Sequence, residues 1–123
     1  MAEIIVIGAG PGGTAAATRA AQLGAQVTLI ENRDLGGTCL NRGCIPTKAL
    51  LHCANLFHQT KNASSVGVLA SNVALDFPKV MEHKGGVVRN MVRGLGSILN
   101  KKGKRRQYPL ARRKPWSIWC CWQ

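Results

Sequence analysis

Two cysteines, Cys39 and Cys44, stand with four residues between them in the stretch Gly36-Gly37-Thr38-Cys39-Leu40-Asn41-Arg42-Gly43-Cys44-Ile45-Pro46-Thr47-Lys48. At that spacing, beside a helix start, two thiols can close a small-loop disulfide. A nearby helix N-terminus is expected to lower a thiolate pKa, which suits thiol–disulfide exchange rather than stapling. In a reducing compartment such a bridge is more often catalytic than structural. A second chemistry is signalled near the start of the chain, where Gly8-Ala9-Gly10-Pro11-Gly12-Gly13 satisfies G-x-G-x-x-G. Gly8 permits a tight turn, Gly10 lets the backbone approach a pyrophosphate, and Gly13 lets helix and strand pack closely. The helix that follows offers partial positive charge and free N–H donors. Glu31, 23 residues after Gly8, is placed to accept hydrogen bonds from ribose hydroxyls and to repel a phosphorylated ribose, which favours FAD or NAD over NADP.

The elements that must position these groups are legible in the periodicity. Glu3 to Ile7 is a β-branched run of the kind found in a parallel strand buried on both faces. Gly13 to Leu23 is a small-residue helix, with Gly24 where a C-terminal glycine belongs. Gln26 to Glu31 forms a second strand and completes a βαβ unit with a right-handed crossover. Asn32 to Thr38 reads as a loop leading into the cysteines. Pro46 and the run from Lys48 predict a helix to about His58, with Leu50, Leu51, Ala54 and Phe57 sharing one face. Thr60 to Asn72 is polar loop, with room for an edge strand at Val66 to Leu69. Asp76 and Pro78 open a last helix whose apolar positions, Val80, Met81, Val88, Met91, Val92, Leu95, Ile98 and Leu99, recur to about Lys101. Gly85-Gly86 weakens its middle.

The chain has 123 residues and a net charge of +12. It has room for one domain and excludes a multi-domain enzyme. The charge is uneven: residues 1–83 hold six basic and five acidic residues, and residues 84–123 hold eleven basic and none acidic. It therefore argues little for a nucleic-acid partner. The apolar stretch Ile4 to Ala17 is too short and too broken to span a bilayer, and the cysteines are too few and too clustered for a secreted disulfide scaffold. A cytoplasmic location is the expectation. Zinc binding by Cys39, Cys44, His52 and Cys53 fits no usual ligand spacing, so no metal is expected. Cys53 reads as a small core residue, and His52, His58 and His83 as surface or internally satisfied positions.

The cysteine segment resembles the redox site of the class I pyridine nucleotide-disulfide oxidoreductases, whose pattern is G-G-T-C-x-N-x-G-C-x-P-x-K. Leu40, Ile45 and Lys48 make it most similar to the dihydrolipoamide dehydrogenase branch. The resemblance implies an α/β fold: a Rossmann-like FAD-binding βαβ unit followed by helices, as an incomplete domain over residues 1–101. It implies that Cys39 is the interchange thiol and Cys44 the thiol that contacts the flavin, with Lys48 near the isoalloxazine. FAD contacts fall on Gly8, Gly10, Pro11, Gly12, Gly13, Glu31, Asn32, Gly36, Gly37, Thr38 and Cys39. Electrons would pass from dihydrolipoamide, or another dithiol, to the disulfide, then FAD, then NAD. A 2-oxo acid dehydrogenase complex and a homodimeric partner are implied for full-length members.

Full-length members also carry NAD, central and interface domains, and a His-Glu pair from the partner subunit. The resemblance does not reach these, so little turnover is expected of this chain alone. Residues 102–123 lack periodicity and are rich in Arg, Trp and Cys. They read as a separate tail, unstructured or translated out of frame. A standalone FAD-binding redox fragment and a module whose basic tail contacts nucleic acid are the competing readings.

Overall fold

A computed structural model describes residues 2–99. Strand β1 (Glu3–Ile7) runs parallel to β2 (Gln26–Ile30), with Glu3 opposite Gln26 and Ile7 opposite Ile30. Between them lies helix α1 (Pro11–Gln22). It begins two residues earlier than the sequence predicts, because Pro11 occupies its first turn with a φ already suited to a helix. It ends as expected at Gly24, whose φ of +92° is a left-handed conformation. The Gly24 N–H donates to Ala21 O (3.2 Å) and the Ala25 N–H to Ala20 O (3.1 Å), a Schellman closure.

Strand alternation sends Val27 and Leu29 to the face that meets Ala17 and Ala21 of α1, with Val6 packed alongside. The same alternation sends Ile5 and Ile7 to the opposite face, where they are 67% and 77% exposed. The expectation that β1 is buried on both faces is therefore corrected. Among the described residues the sheet has two strands, and α1 covers one side of it.

The loop expected over Asn32 to Thr38 ends two residues early, where a short helix, α2 (Gly37–Arg42), begins and carries Cys39. Helix α3 (Cys44–Lys61) follows at once, with Pro46 in its first turn, and runs three residues beyond the predicted end. Its inward face is Ala49, Leu50, Cys53 and Phe57, whereas Leu51 and Ala54, predicted to share it, face solvent. The edge strand expected at Val66 to Leu69 is not formed; a 3-10 turn (Ala63–Val66) ends at its first residue, and Val66 and Leu69 are exposed.

Helix α4 (Phe77–Leu99) starts as predicted, with Asp76 Oδ1 accepting the Lys79 N–H at 3.1 Å. It passes unbroken through Gly85-Gly86, whose propensity cost of roughly 1 kcal/mol each is offset by packing against α3. Only part of the predicted apolar face turns inward: Leu99 is buried in the core beside Ala9, Val27 and Leu29, with Leu95 packed against that cluster, but Met81, Met91 and Ile98 are exposed. Cys53 is half-buried, and His52, His58 and His83 are exposed. No described helix is long and apolar enough to cross a membrane. The expectations for residues 102–123 lie outside the described residues.

Candidate nucleotide and dithiol site

The glycine-rich turn joins β1 to α1, and its backbone is held from three sides. Gly8 has φ +95°, and its N–H donates to Ile30 O at 2.7 Å. A Cβ on Gly13 would run into the Gly8 carbonyl oxygen, so this position needs glycine for close helix–strand packing, as the sequence predicts. Gly10 caps α1 with extended backbone. Thr14, buried one turn on, donates its hydroxyl to Gly10 O at 2.9 Å. The amides of Gly12 and Gly13 lie in the first helical turn, where N–H groups have no intrahelical acceptor. A Cβ on Gly10 or Gly12 would meet open space. The turn therefore leaves an uncovered set of amide donors at the positive end of a helix, a place suited to a phosphate.

Glu31, expected as the last residue of the second strand, stands one residue past β2 (Gln26–Ile30), and its first partners are internal. Only 9% exposed, it accepts the Ala9 N–H on Oε2 at 2.7 Å and the Asn32 and Arg33 N–H groups on Oε1, each at 2.9 Å. The carboxylate thus latches the glycine turn to the end of β2. With three of about four acceptor sites filled, one remains for an outside hydroxyl.

The start of α2 closes on the same turn. The Gly36 N–H donates to Ala9 O at 2.8 Å, and a Cβ on Gly37 would lie 2.9 Å from Gly10 Cα. Gly36 and Gly37 have φ of +93° and +62°. Among the residues predicted for the site, Gly8, Gly10, Gly13, Glu31, Gly36 and Gly37 are therefore brought together. Pro11 and Gly12 are exposed on the first turn of α1, while Asn32 and Thr38 are exposed beyond Glu31 and on α2. Asn41 is the asparagine of the cysteine-segment pattern, to which sequence reasoning gives no role; its Nδ2 donates to Leu35 O (3.0 Å) and Gly37 O (2.9 Å). Its signal is an Asn inside a short glycine-flanked segment, a residue that bonds readily to nearby backbone.

Cys39 is half-buried on α2, and Cys44 is the exposed first residue of α3. Gly43 lets them approach, since a Cβ there would lie 3.2 Å from Cys39 Cα and from Thr38 O. Both are thiols, so the predicted disulfide is not closed in this structure. The Cys44 side chain raises the Cys39 pKa above that of an ordinary thiol and burial adds to the effect, while the Cys44 backbone and then Lys48 oppose it. The expectation of a thiolate pKa lowered by a helix end is corrected for Cys39: its thiol neighbour outweighs the favourable charge. Lys48 is exposed one turn beyond Cys44. No group of three metal-ligating side chains lies together among the described residues.

Comparisons with known proteins bear on this arrangement. The family model of the pyridine nucleotide-disulphide oxidoreductases matches residues 2–107. A dihydrolipoyl dehydrogenase of Staphylococcus aureus is 52% identical over 97 residues, covering 79% of this chain and 21% of that protein. Dihydrolipoyl dehydrogenase 2, mitochondrial, of Arabidopsis thaliana is 46% identical over 101 residues, covering 80% of this chain and 20% of its own length. Among solved structures, the HOCl-induced flavoprotein disulfide reductase RclA from Escherichia coli superposes with a TM-score of 0.59 at 33% identity, over 80% of this chain and 19% of that one. The chain thus spans about a fifth of the length of the relatives it matches. A family match across most of the chain, joined to a glycine turn and a dithiol pair on one βαβ unit, means that this chain belongs to the pyridine nucleotide-disulphide oxidoreductase family.

Proposed function

We propose that residues 2–99 hold the adenosine diphosphate half of FAD on the Gly8–Gly13 turn and present Cys39 and Cys44 as an exchangeable dithiol pair, as part of an enzyme of the dihydrolipoyl dehydrogenase type. The observation that carries this reading is the seating of α2 on the glycine turn: Gly36 N–H bonds to Ala9 O, and Gly37 lies against Gly10. The dithiol helix therefore begins at the phosphate cradle. The open space at Gly10 and Gly12 fits a diphosphate, which would take the amides of Gly12 and Gly13 beside Pro11. The free acceptor site of Glu31 would meet an adenosine ribose hydroxyl, with Asn32 at the same edge. Gly36, Gly37 and Thr38 would line the path toward the thiols, and Lys48 would stand by the isoalloxazine.

When bound, FAD supplies a two-electron acceptor next to Cys44. The chain's own part is thiol exchange. In the oxidised pair, a substrate thiolate attacks Cys39 Sγ and breaks the Cys39–Cys44 bond. This forms a mixed disulfide on Cys39 and releases the Cys44 thiolate. The second substrate thiol then displaces Cys39, so the dithiol leaves as a disulfide and its two hydrogens end on Cys39 and Cys44, which are left as a pair of thiols. Dihydrolipoamide is the proposed dithiol. Transfer to NAD, docking to a 2-oxo acid dehydrogenase complex and homodimerisation are proposed for the whole enzyme rather than for residues 2–99. Adding FAD to the purified chain and weighing the Cys39–Cys44 peptide before and after oxidised lipoamide tests the reading. A perturbed flavin spectrum and loss of two hydrogens from the pair are expected. An unchanged spectrum with persistent thiols refutes it.

A further inference from the structure

We propose that Asn41 is a positioning residue for the dithiol pair: its side-chain amide clamps the start of α2, and so holds Cys39 where Cys44 can meet it. This rests on reading Cys39 and Cys44 as the exchange pair. Helix α2 has six residues, a left-handed Gly36 at its N-cap and no side-chain cap. A helix that short is not stable by its own hydrogen bonds. Asn41, in its second turn, reaches back and donates both amide hydrogens, to Leu35 O at 3.0 Å and to Gly37 O at 2.9 Å. Both acceptors are carbonyls, so only the nitrogen can face them, and the amide orientation is fixed.

The clamp joins two boundaries of α2. At one end Gly36 and Gly37 sit on the glycine turn through Ala9 O and Gly10 Cα. At the other, Gly43 packs against Cys39 Cα and Thr38 O, immediately before Cys44. Asn41 lies between the two cysteines in the chain, and its two acceptors lie before Cys39. Losing the amide frees the first turn of α2 and with it the separation of the thiols. Arg42 also ties α2 to the preceding loop, through Asp34 at 2.9 Å, but both side chains are 48% exposed. That pair contributes little and serves as an internal comparison.

Affinity of the reduced chain for phenylarsine oxide, which bridges two neighbouring thiols, reads their spacing without requiring flavin or redox turnover, provided every chain compared carries Cys120→Ser and Cys121→Ser so that this second adjacent pair does not compete. Asn41→Ala is expected to weaken it between about five-fold and thirty-fold, the loss of one to two hydrogen bonds of ordinary net strength. Asn41→Asp keeps the shape, loses both donors and sets a carboxylate against two carbonyls, so it is expected to weaken binding at least as much. It decides the matter if Asn41→Ala loses its helical circular dichroism. Arg42→Ala is expected to stay within about two-fold of wild type, as an exposed ion pair allows. Wild-type affinity retained by both Asn41 variants overturns the proposal. So does an Arg42→Ala effect as large as that of Asn41→Ala, or a wild-type chain that does not bind the arsenical. A parallel glutathione titration separates the two levels: a pair that binds the arsenical but never closes a disulfide refutes the redox reading, while the arsenical ranking still decides the role of Asn41.

Discussion

Glu31→Gln is the sharpest test of how the glycine turn is held. In the native chain one oxygen of Glu31 serves the Ala9 N–H at 2.7 Å and the other serves Asn32 and Arg33, both at 2.9 Å. A glutamine has one acceptor oxygen, so its NH2 group must face at least one backbone N–H. The least costly orientation keeps Asn32 and Arg33 and sacrifices Ala9. That loses one charge-assisted hydrogen bond, about 1.5–3 kcal/mol, and makes the other two neutral. A net loss of about 3 kcal/mol is expected, a large share of the roughly 5–15 kcal/mol that holds a domain together. For a domain near this size it lowers Tm by about 12–24 °C. Urea unfolding at neutral pH should show a lower midpoint with an unchanged m-value, since the surface exposed on unfolding is the same. A stability change below about 0.5 kcal/mol, the range of an ordinary surface substitution, would refute the latch and leave the carboxylate free for a ligand alone.

Three further outcomes follow from the same geometry. Gly13→Ala, which forces a Cβ against Gly8 O, should destabilise the chain by about 1–3 kcal/mol in the same urea assay; Gly12→Ala, whose Cβ meets open space, should not, while still weakening FAD binding. The Cys39 pKa lies above that of an ordinary thiol, so its thiolate fraction at neutral pH is smaller. Its iodoacetamide rate, followed by peptide mass mapping, should therefore rise with pH to a midpoint above that of an ordinary thiol. Cys44→Ala removes the largest cause and should move that midpoint down, and Lys48→Gln should move it up. Asp76→Ala, which deletes the cap on the Lys79 N–H, should cost about 1 kcal/mol in thermal unfolding.

What could be foreseen and what could not divides along physical lines. Gly8, Gly13 and Gly24 meet steric demands set within a turn, which residue type and spacing express directly. The strands were legible because β-branched runs end at such turns. Helix α2 was not: six residues hold too little periodicity, and its start uses a left-handed glycine and a side-chain amide from within rather than a Ser or Asp cap. The position of Glu31 was foreseen but not its backbone partners, because the sequence does not show which amides a buried carboxylate will face. The direction of the Cys39 shift was missed for a similar reason: proximity to a helix end is visible in sequence, whereas the reach of the Cys44 thiol depends on the turn at Gly43. Exposure of Ile5 and Ile7 depends on what covers the second face of the sheet, which a strand's own residues do not state.

The central claim is that the Gly8–Gly13 turn is a dinucleotide cradle to which the dithiol segment is docked. Titrating FAD into the purified chain while following quenching of flavin fluorescence, with ADP as competitor and Gly12→Ala alongside, tests it most directly. Saturable quenching by the wild-type chain, reversal by ADP, and weakened binding in Gly12→Ala at undiminished stability are expected. Absence of binding by a folded wild-type chain, or equal binding by Gly12→Ala, would contradict it.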